Sequence, residues 1–397
     1  MADPVKRSAL TDFFRSSFGS PEGARLFSAP GRTEIGGNHT DHQQGRVLAA
    51  AVSLEALSLA KPNGRNHINI LSSKYPPVVV DLDNLSPQVS ERGHSTAMVR
   101  GIAEYFSDKG WNIGGFDAVT ENEVPGGSGL SSSAAFEVLI ATVLNGLFNG
   151  GAISPVDLAK AGQYSENVHF GKPCGLMDQM ASALGGISEI DFMDPAGPRV
   201  DRLTVDFSSF GHAICIIDTG SYHADLNDEY ASIPAEMMQV AQFFGKSRLR
   251  EVDPSEFYAS IPKLRGKAAD RAILRAMHFF ADNERAHLEA AALRRGDFPE
   301  FLSLIRESGK SSWMLLQNIY PSGACREQPA ALALSYCEKL LAGEGACRIH
   351  GGGFAGTIQA FVPLAGLGEF RSGIESLTGP GSCRVLTIRS HGGTELF

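Results

Sequence analysis

Residues 123–134 read EVPGGSGLSSSA, from Glu123 through Gly126, Gly127, Ser128, Gly129 and Leu130 to Ser131, Ser132, Ser133 and Ala134. Three glycines let the backbone pass close to a ligand and turn its N–H groups inward. The following run, Ser131–Phe148, carries apolar residues at Ala135, Val138, Leu139, Val143 and Leu147, a spacing of three and four that predicts a helix buried on at least one face. A helix starting there aims its partially positive N-terminus and unpaired N–H groups back at the glycines, so the segment is an anion cradle. The three serines add hydroxyls suited to phosphate oxygens or magnesium, although serine is also a simple helix N-cap and a capped glycine turn would look the same locally. No lysine follows the glycines, which excludes Walker A, and Ser132 stands where G-x-G-x-x-G needs its third glycine.

Outward from this loop the pattern is mixed. Helices are predicted at Ser8–Phe18, Ser95–Lys109, Leu226–Phe244, Arg265–Arg294, Asp297–Asn318 and Pro329–Leu341. Strands are predicted at Ala24–Ala29, Val47–Leu59, Ile68–Leu71, Val78–Leu82, Gly115–Thr120, Ile187–Phe192, Arg202–Val205, Ala213–Asp218, Ala346–His350 and Thr357–Val362, with a polar glycine turn from Pro30 to Gly45. Strands and helices do not alternate as βαβ units, so the class is α+β. The pattern restarts after Asp178, and a division into residues 1–210 and 211–397 is expected.

The 35 Lys and Arg against 44 Asp and Glu give a formal charge of −9, with no basic stripe, which argues against nucleic-acid binding. Six cysteines are spread singly, without zinc spacing. The first residues lack the apolar segment of a signal peptide, and the most apolar stretches, Val47–Ala60 and Val138–Phe148, are interrupted by polar residues. The expectation is a cytoplasmic protein that does not engage membranes. Glycine is enriched, 44 in 397 residues against about 7% in ordinary usage, and the excess sits in clusters.

A second cluster, residues 29–42 (APGRTEIGGNHTDH), gathers Arg32, Glu34, Asn38, His39 and Asp41, donors and acceptors suited to a hydroxyl-rich small molecule. A third, residues 349–356 (IHGGGFAG), lies between two predicted strands. With the 123–134 loop, these resemble the galactokinase branch of the GHMP small-molecule kinases. That family carries G-R-x-N-x-I-G-E-H-T-D-Y, P-x-G-x-G-L-S-S-S-A and G-G-G-F-G-G in the order found here at Gly31–His42, Pro125–Ala134 and Gly351–Gly356. Residues 173–179 (PCGLMDQ) resemble its P-C-G-I-M-D-Q, and the Asn283–Arg285 helix also matches.

The resemblance implies a two-domain fold of mixed sheets with helices packed on them and the active site between the domains. It implies ATP and Mg2+, with a hexose and ATP as the small-molecule partners, in a monomer or weak homo-oligomer. By the same resemblance Asp178 and Arg32 are catalytic. Asp178 lies beside the anomeric hydroxyl, as a base or an electrostatic positioner. Asn38, His39, Asp41, Gly175 and Tyr230 hold the sugar; Gly126, Gly127, Ser128, Gly129, Leu130, Ser131, Ser132 and Ser133 hold the nucleotide; Ser132 and Glu166 reach the metal. Departures from the family pattern are Asn38 for a glutamate, His42 for a tyrosine, Ala355 for a glycine, Ala231–Met237 for an arginine-rich stretch, and no adenine-pocket tryptophan near Thr96–Arg100. The implied activity is galactose 1-phosphorylation. Alternatives are a galacturonate kinase, to which Asn38 is more permissive than glutamate, a more distant mevalonate or homoserine kinase, and a catalytically silent sugar sensor.

Overall fold

The computed structural model describes residues 4–126, 129–220, 226–354 and 356–396. In chain order the first part comprises α1 (Pro4–Phe18), β1 (Arg25–Gly36), β2 (Arg46–Pro62), β3 (His67–Ser72), β4 (Val78–Asp81), α2 (Ser95–Asp108), β5 (Phe116–Asn122), α3 (Ser132–Asn149), α4 (Pro155–Tyr164), a π-turn at Ser165–Phe170, α5 (Met177–Leu184), β6 (Ile187–Asp191) and β7 (Arg199–Leu203). The rest comprises β8 (His212–Asp218), α6 (Asn227–Phe243), α7 (Pro254–Leu264), α8 (Asp270–Arg295), α9 (Phe298–Ser311), α10 (Pro329–Leu341), β9 (Ala346–Ile349), β10 (Thr357–Pro363), α11 (Leu367–Thr378), β11 (Cys383–Leu386) and β12 (Thr394–Leu396).

Strands β1 and β2 form the spine of an eight-stranded sheet ordered β12-β1-β2-β5-β3-β4, with β6 paired to β2 and β7 to β6. At 17 residues β2 is long enough to pair β6 through its start and β5 through its end. The last strand returns across the chain to β1, pairing Leu26 with Leu396. A second sheet runs β11-β8-β10-β9. Among the described strand pairs only β3 with β5 is parallel. The class is α+β, as the absence of βαβ alternation predicts.

Helix α3 is long and apolar enough to cross a bilayer by composition alone, but here it packs against β1, β2, α4 and α5. Its Val138, Leu139, Val143 and Leu144 share one core with Phe27, Val47 and Met180; each such side chain stabilises by about 1.5–3 kcal/mol on burial. A second core joins the two sheets: Ile35 of β1 and Leu48 of β2 pack with Phe301 and Ile305 of α9 and Phe361 of β10.

The Pro30–Gly45 segment corrects the sequence reading. The strand does not stop at Ala29 but runs to Gly36, with irregular register between Pro30 and Arg32 and between Glu34 and Gly36. Its polar residues are tolerated because they find partners inside: the Thr33 hydroxyl meets His350 at 3.0 Å, and Glu34 pairs with Arg348 at 2.7 Å. Bulges of this kind re-aim side chains next to functional sites. The predicted Arg265–Arg294 helix starts later than expected, at Asp270 of α8, after a break at Gly266, whose φ is +84°. Helices α4, α5, α7 and α11 and strands β11 and β12 are not among the elements expected from sequence and emerge only here.

Candidate active site

The glycine loop enters α3 without a side-chain cap. Gly129 has φ +69°, and a β-carbon there would press on the His350 ring and the Thr357 hydroxyl. The Leu130 carbonyl accepts from the Arg32 backbone N–H at 3.0 Å, fastening the loop to β1. Ser131, at the N-cap, has φ +54° and makes no capping bond. The Ser132 hydroxyl accepts from Asn122 Nδ2 at 3.0 Å. No acidic residue lies in the first turn of α3, so the helix carries no carboxylate of its own at its N-terminus. Gly126 sits at the loop entrance; Gly127 and Ser128 lie outside the described residues.

Beside this loop, Asp178 stands in the first turn of α5. Arg32 grips it with two bonds, Nε to Oδ1 at 2.7 Å and Nη2 to Oδ2 at 2.8 Å, and also donates to the Gly129 carbonyl. Ser131 donates its hydroxyl to Asp178 Oδ2. Burial alone would raise the Asp178 carboxyl, but the Arg32 charge and hydrogen bonds, with help from Ser131 and Lys172, hold it below its ordinary range. Asp178 is therefore an ionised, partly accessible carboxylate whose acceptor sites are mostly taken.

A buried acid pair flanks it. Glu166, in the π-turn, pairs with Lys172 at 3.1 Å. Gln179 Nε2 donates both to Glu166 Oε2 at 3.1 Å and to Glu137 Oε2 at 2.9 Å. Burial, then the Glu166 charge, pushes the Glu137 carboxyl well above its usual range. Glu137 Oε1 and the Gln179 carbonyl oxygen are buried without partners.

On the other side, His39 takes a left-handed backbone, φ +59°. Its Nε2 lies 2.9 Å from the Gly352 carbonyl, to which it must donate, and its buried Nδ1 has no partner. Burial, and then neighbouring His42, bring its pKa down to about 3, so the ring is neutral and Nδ1 is a bare acceptor. His42 stacks on it at 5.6 Å between centroids. Asp41 faces Gly175 so closely that a side chain at 175 would overlap its carboxylate. Tyr230 donates its hydroxyl to Gly353 O at 2.9 Å and lays its ring over Gly352.

Asn38 differs from the expected sugar contact. It is fully buried. Its amide nitrogen donates to Glu34 Oε1 at 2.9 Å and to Gly351 O at 2.7 Å, and its oxygen accepts from Asn318 at 2.8 Å. Its backbone is held as well, the N–H by Asp282 at 2.8 Å and the carbonyl by His278 at 2.9 Å. Asn38 thus ties the sugar loop to α8 through its backbone and to the third glycine cluster through its side-chain amide.

Residues 97–186 match the GHMP kinases N terminal domain, and residues 12–62 match the galactokinase galactose-binding signature. The fold is similar to that of Lactococcus lactis galactokinase complexed with galactose, with 25% identity, TM-score 0.85, and coverage of 98% of this chain and 100% of that one. This chain carries the GHMP kinase N-terminal domain and the galactokinase galactose-binding signature on a galactokinase-like fold. More distant folds agree: the Lin0012 protein of Listeria innocua at 16% identity and TM-score 0.68, covering 94% and 99% of the two chains, and the Methanococcus jannaschii mevalonate kinase at 14% and 0.60, covering 92% and 98%.

GHMP kinases are phosphotransferases that take phosphate from ATP, and in this chain the three glycine clusters converge. Gly129 of the loop abuts His350 of the third cluster, and Gly352 of the third cluster abuts Tyr230 and receives the His39 bond. Sequence reasoning missed several residues that organise this GHMP site: Glu137, Gln179, His278, Asp282, Arg348 and His350. His350 accepts from the Glu34 N–H at 3.3 Å and touches Thr357 at 3.1 Å, wedged between β1 and the phosphate loop. Only its place in a glycine cluster marked it in sequence. Asp282 adjoins the Asn283–Arg285 stretch that matches the family, a signal that pointed to this helix without naming it.

Proposed function

We propose that the protein transfers the γ-phosphoryl group of ATP to the anomeric hydroxyl of a galactose-type hexose, giving the α-sugar 1-phosphate and ADP. The observation that carries this reading is the Arg32–Asp178 pair, set between the glycine loop at α3 and the Asp41–Gly175 contact of the sugar loop. Phosphoryl transfer through a loose transition state needs in-line positioning and charge neutralisation more than a strong base. Asp178 fits that need. Held ionised by Arg32, it orients the hydroxyl and takes its proton late, while Arg32 stabilises charge on the transferring group.

The sugar side is rich in acceptors. Asp41 offers two carboxylate oxygens and His39 a bare Nδ1, both suited to receive hydroxyl protons. A neutral polyol satisfies them and a sixth-carbon carboxylate has no proton to give, so galactose is favoured over galacturonate. In this reading Gly126, Gly127, Ser128, Gly129, Leu130 and Ser133 cradle the phosphates with backbone N–H groups at the start of α3.

Glu166 and Ser132 would hold magnesium. The buried, partnerless oxygens of Glu137 and Gln179 beside Glu166 mark a place short of a donor or cation, and a carboxylate with a hydroxyl suits an ion that also takes phosphate oxygens and waters. When bound, Mg2+ neutralises charge on the β- and γ-phosphates.

The test is ADP formation from Mg-ATP with galactose, galacturonate, N-acetylgalactosamine or glucose. Galactose gives the highest kcat/KM. Sugar binding without ADP formation would establish a silent sensor, and a higher kcat/KM for galacturonate would move the substrate to the uronic acid.

A further inference from the structure

Ser131 opens the helix that faces the proposed nucleotide, yet its geometry is wrong for a phosphate ligand. A serine at an N-cap ordinarily keeps an extended backbone and accepts from an N–H of the first turn. Ser131 does neither: φ is +54°, ψ is +67°, and no capping bond forms. A left-handed conformation is strained for an L-residue with a side chain. What it gains is the bond to Asp178. A hydroxyl has one proton, and an ionised carboxylate can only accept. With that proton committed to Asp178, Ser131 presents only lone pairs to any other neighbour, which repel a phosphate oxygen.

The Asp178 carboxylate shows the other half. Oδ1 receives Arg32 Nε alone, while Oδ2 receives both Arg32 Nη2 and Ser131. A carboxylate oxygen has about two acceptor sites. Oδ2 is filled and Oδ1 keeps one open.

We infer that Ser131 is a positioning residue for Asp178: its left-handed backbone turns the hydroxyl onto Oδ2, which fixes the carboxylate plane with Arg32 and leaves Oδ1 as the oxygen that meets the acceptor hydroxyl. This rests on the kinase reading of the site only where turnover is measured. It also couples the two halves of the reaction, because the loop that holds the donor phosphates sets the orientation of the group that holds the acceptor.

The experiment compares Ser131→Ala, which removes the hydroxyl and keeps the strain, with Ser131→Gly, which removes both. Losing a hydrogen bond to a charged group predicts a fall in kcat of about ten- to a hundredfold in both variants. The KM for ATP and the Kd for the sugar should stay within about threefold, and the glycine variant should melt no lower than wild type. Wild-type kcat in Ser131→Gly would mean that only loop shape matters and would overturn the inference. A loss confined to the KM for ATP would do the same, by making Ser131 a nucleotide ligand. Crystal structures of both variants give an arm independent of substrate, in which the Asp178 carboxylate is expected to rotate about its χ2. If wild type phosphorylates no hexose, the kinase reading fails and this arm alone decides; an unmoved Asp178 with both Arg32 bonds intact refutes the positioning role.

Discussion

Gly175 and Asp41, 134 positions apart in the chain, lie in such close contact that a β-carbon on the glycine would occupy the space of the aspartate carboxylate. The contact brings the strand-borne sugar loop against the segment that leads into Asp178. Gly175 has an ordinary backbone conformation and is absent from the positive-φ set, so its smallness, not its flexibility, is what the site uses. Gly175→Ala should therefore fold normally yet push Asp41 aside, raising the KM for the sugar about tenfold or more, since displacements near 1 Å at a reacting centre are that damaging. Steady-state kinetics beside a thermal melt checks this; an unchanged KM would mean that Asp41 does not hold the sugar.

Asp178→Asn keeps the shape of the side chain and removes its charge. Turnover should fall by about a hundred- to ten-thousandfold, the range lost with a group that positions or accepts a proton in the transition state. Sugar affinity, measured by calorimetry, should change little, because Asp41 and His39 remain. A kcat near wild type would remove Asp178 from the chemistry.

How much of this was legible in sequence depends on the reach of each signal. Helix α3 was readable because Ala135, Val138, Leu139, Val143 and Leu147 recur at helical spacing, and the loop before it because glycines and serines cluster. Asp178 carried no local signal; only the likeness of residues 173–179 to a family motif singled it out. Glu137 was hidden in the same apolar helix that was read correctly, since a lone glutamate among buried aliphatics looks like a solvated position until Gln179 is seen beside it. The Glu34–Arg348 pair spans 314 residues, beyond any reading of spacing. The stretch Pro30–Gly36 reads as a turn in sequence because polar strand residues look exposed unless their partners are known.

Glu289 gives a prediction in pH. It is fully buried on α8 beneath Gly36, with neither carboxyl oxygen bonded. Burial, then the charge of Asp282, raises its carboxyl well above the ordinary range, so the folded state holds a proton that the unfolded chain releases. Its contribution is then fully present below the ordinary carboxyl pKa and is lost as pH rises, at about 1.4 kcal/mol per pH unit until the folded group itself ionises. Glutamine copies the protonated form and does not titrate. Glu289→Gln should match wild type in urea unfolding near pH 4.5 and exceed it increasingly toward pH 7.5; a constant difference across that span would show that Glu289 does not titrate on unfolding.

The last prediction concerns Glu34 and Asn38. In the family motif found at Gly31–His42, asparagine stands at the place of Glu34 and glutamate at the place of Asn38, so this chain carries the two residue types exchanged. In the structure the two are bonded: Asn38 Nδ2 donates to Glu34 Oε1, and Arg348, with no exposed side-chain surface, binds the same carboxylate. Asn38→Glu alone would set two carboxylates against each other beside Asp282 and leave the Gly351 carbonyl without its donor. Breaking a buried charge arrangement in this way costs about 3–5 kcal/mol, so the variant should unfold at clearly lower urea before any change in sugar preference is readable. Adding Glu34→Asn removes the repulsion and restores an amide to donate across the pair. The double variant should recover at least about 1–2 kcal/mol relative to Asn38→Glu, a coupling of the size seen for residues in one network. Additive losses in the two single variants and the double would show that positions 34 and 38 are energetically independent, and that the exchange of residue types between them has no structural cause.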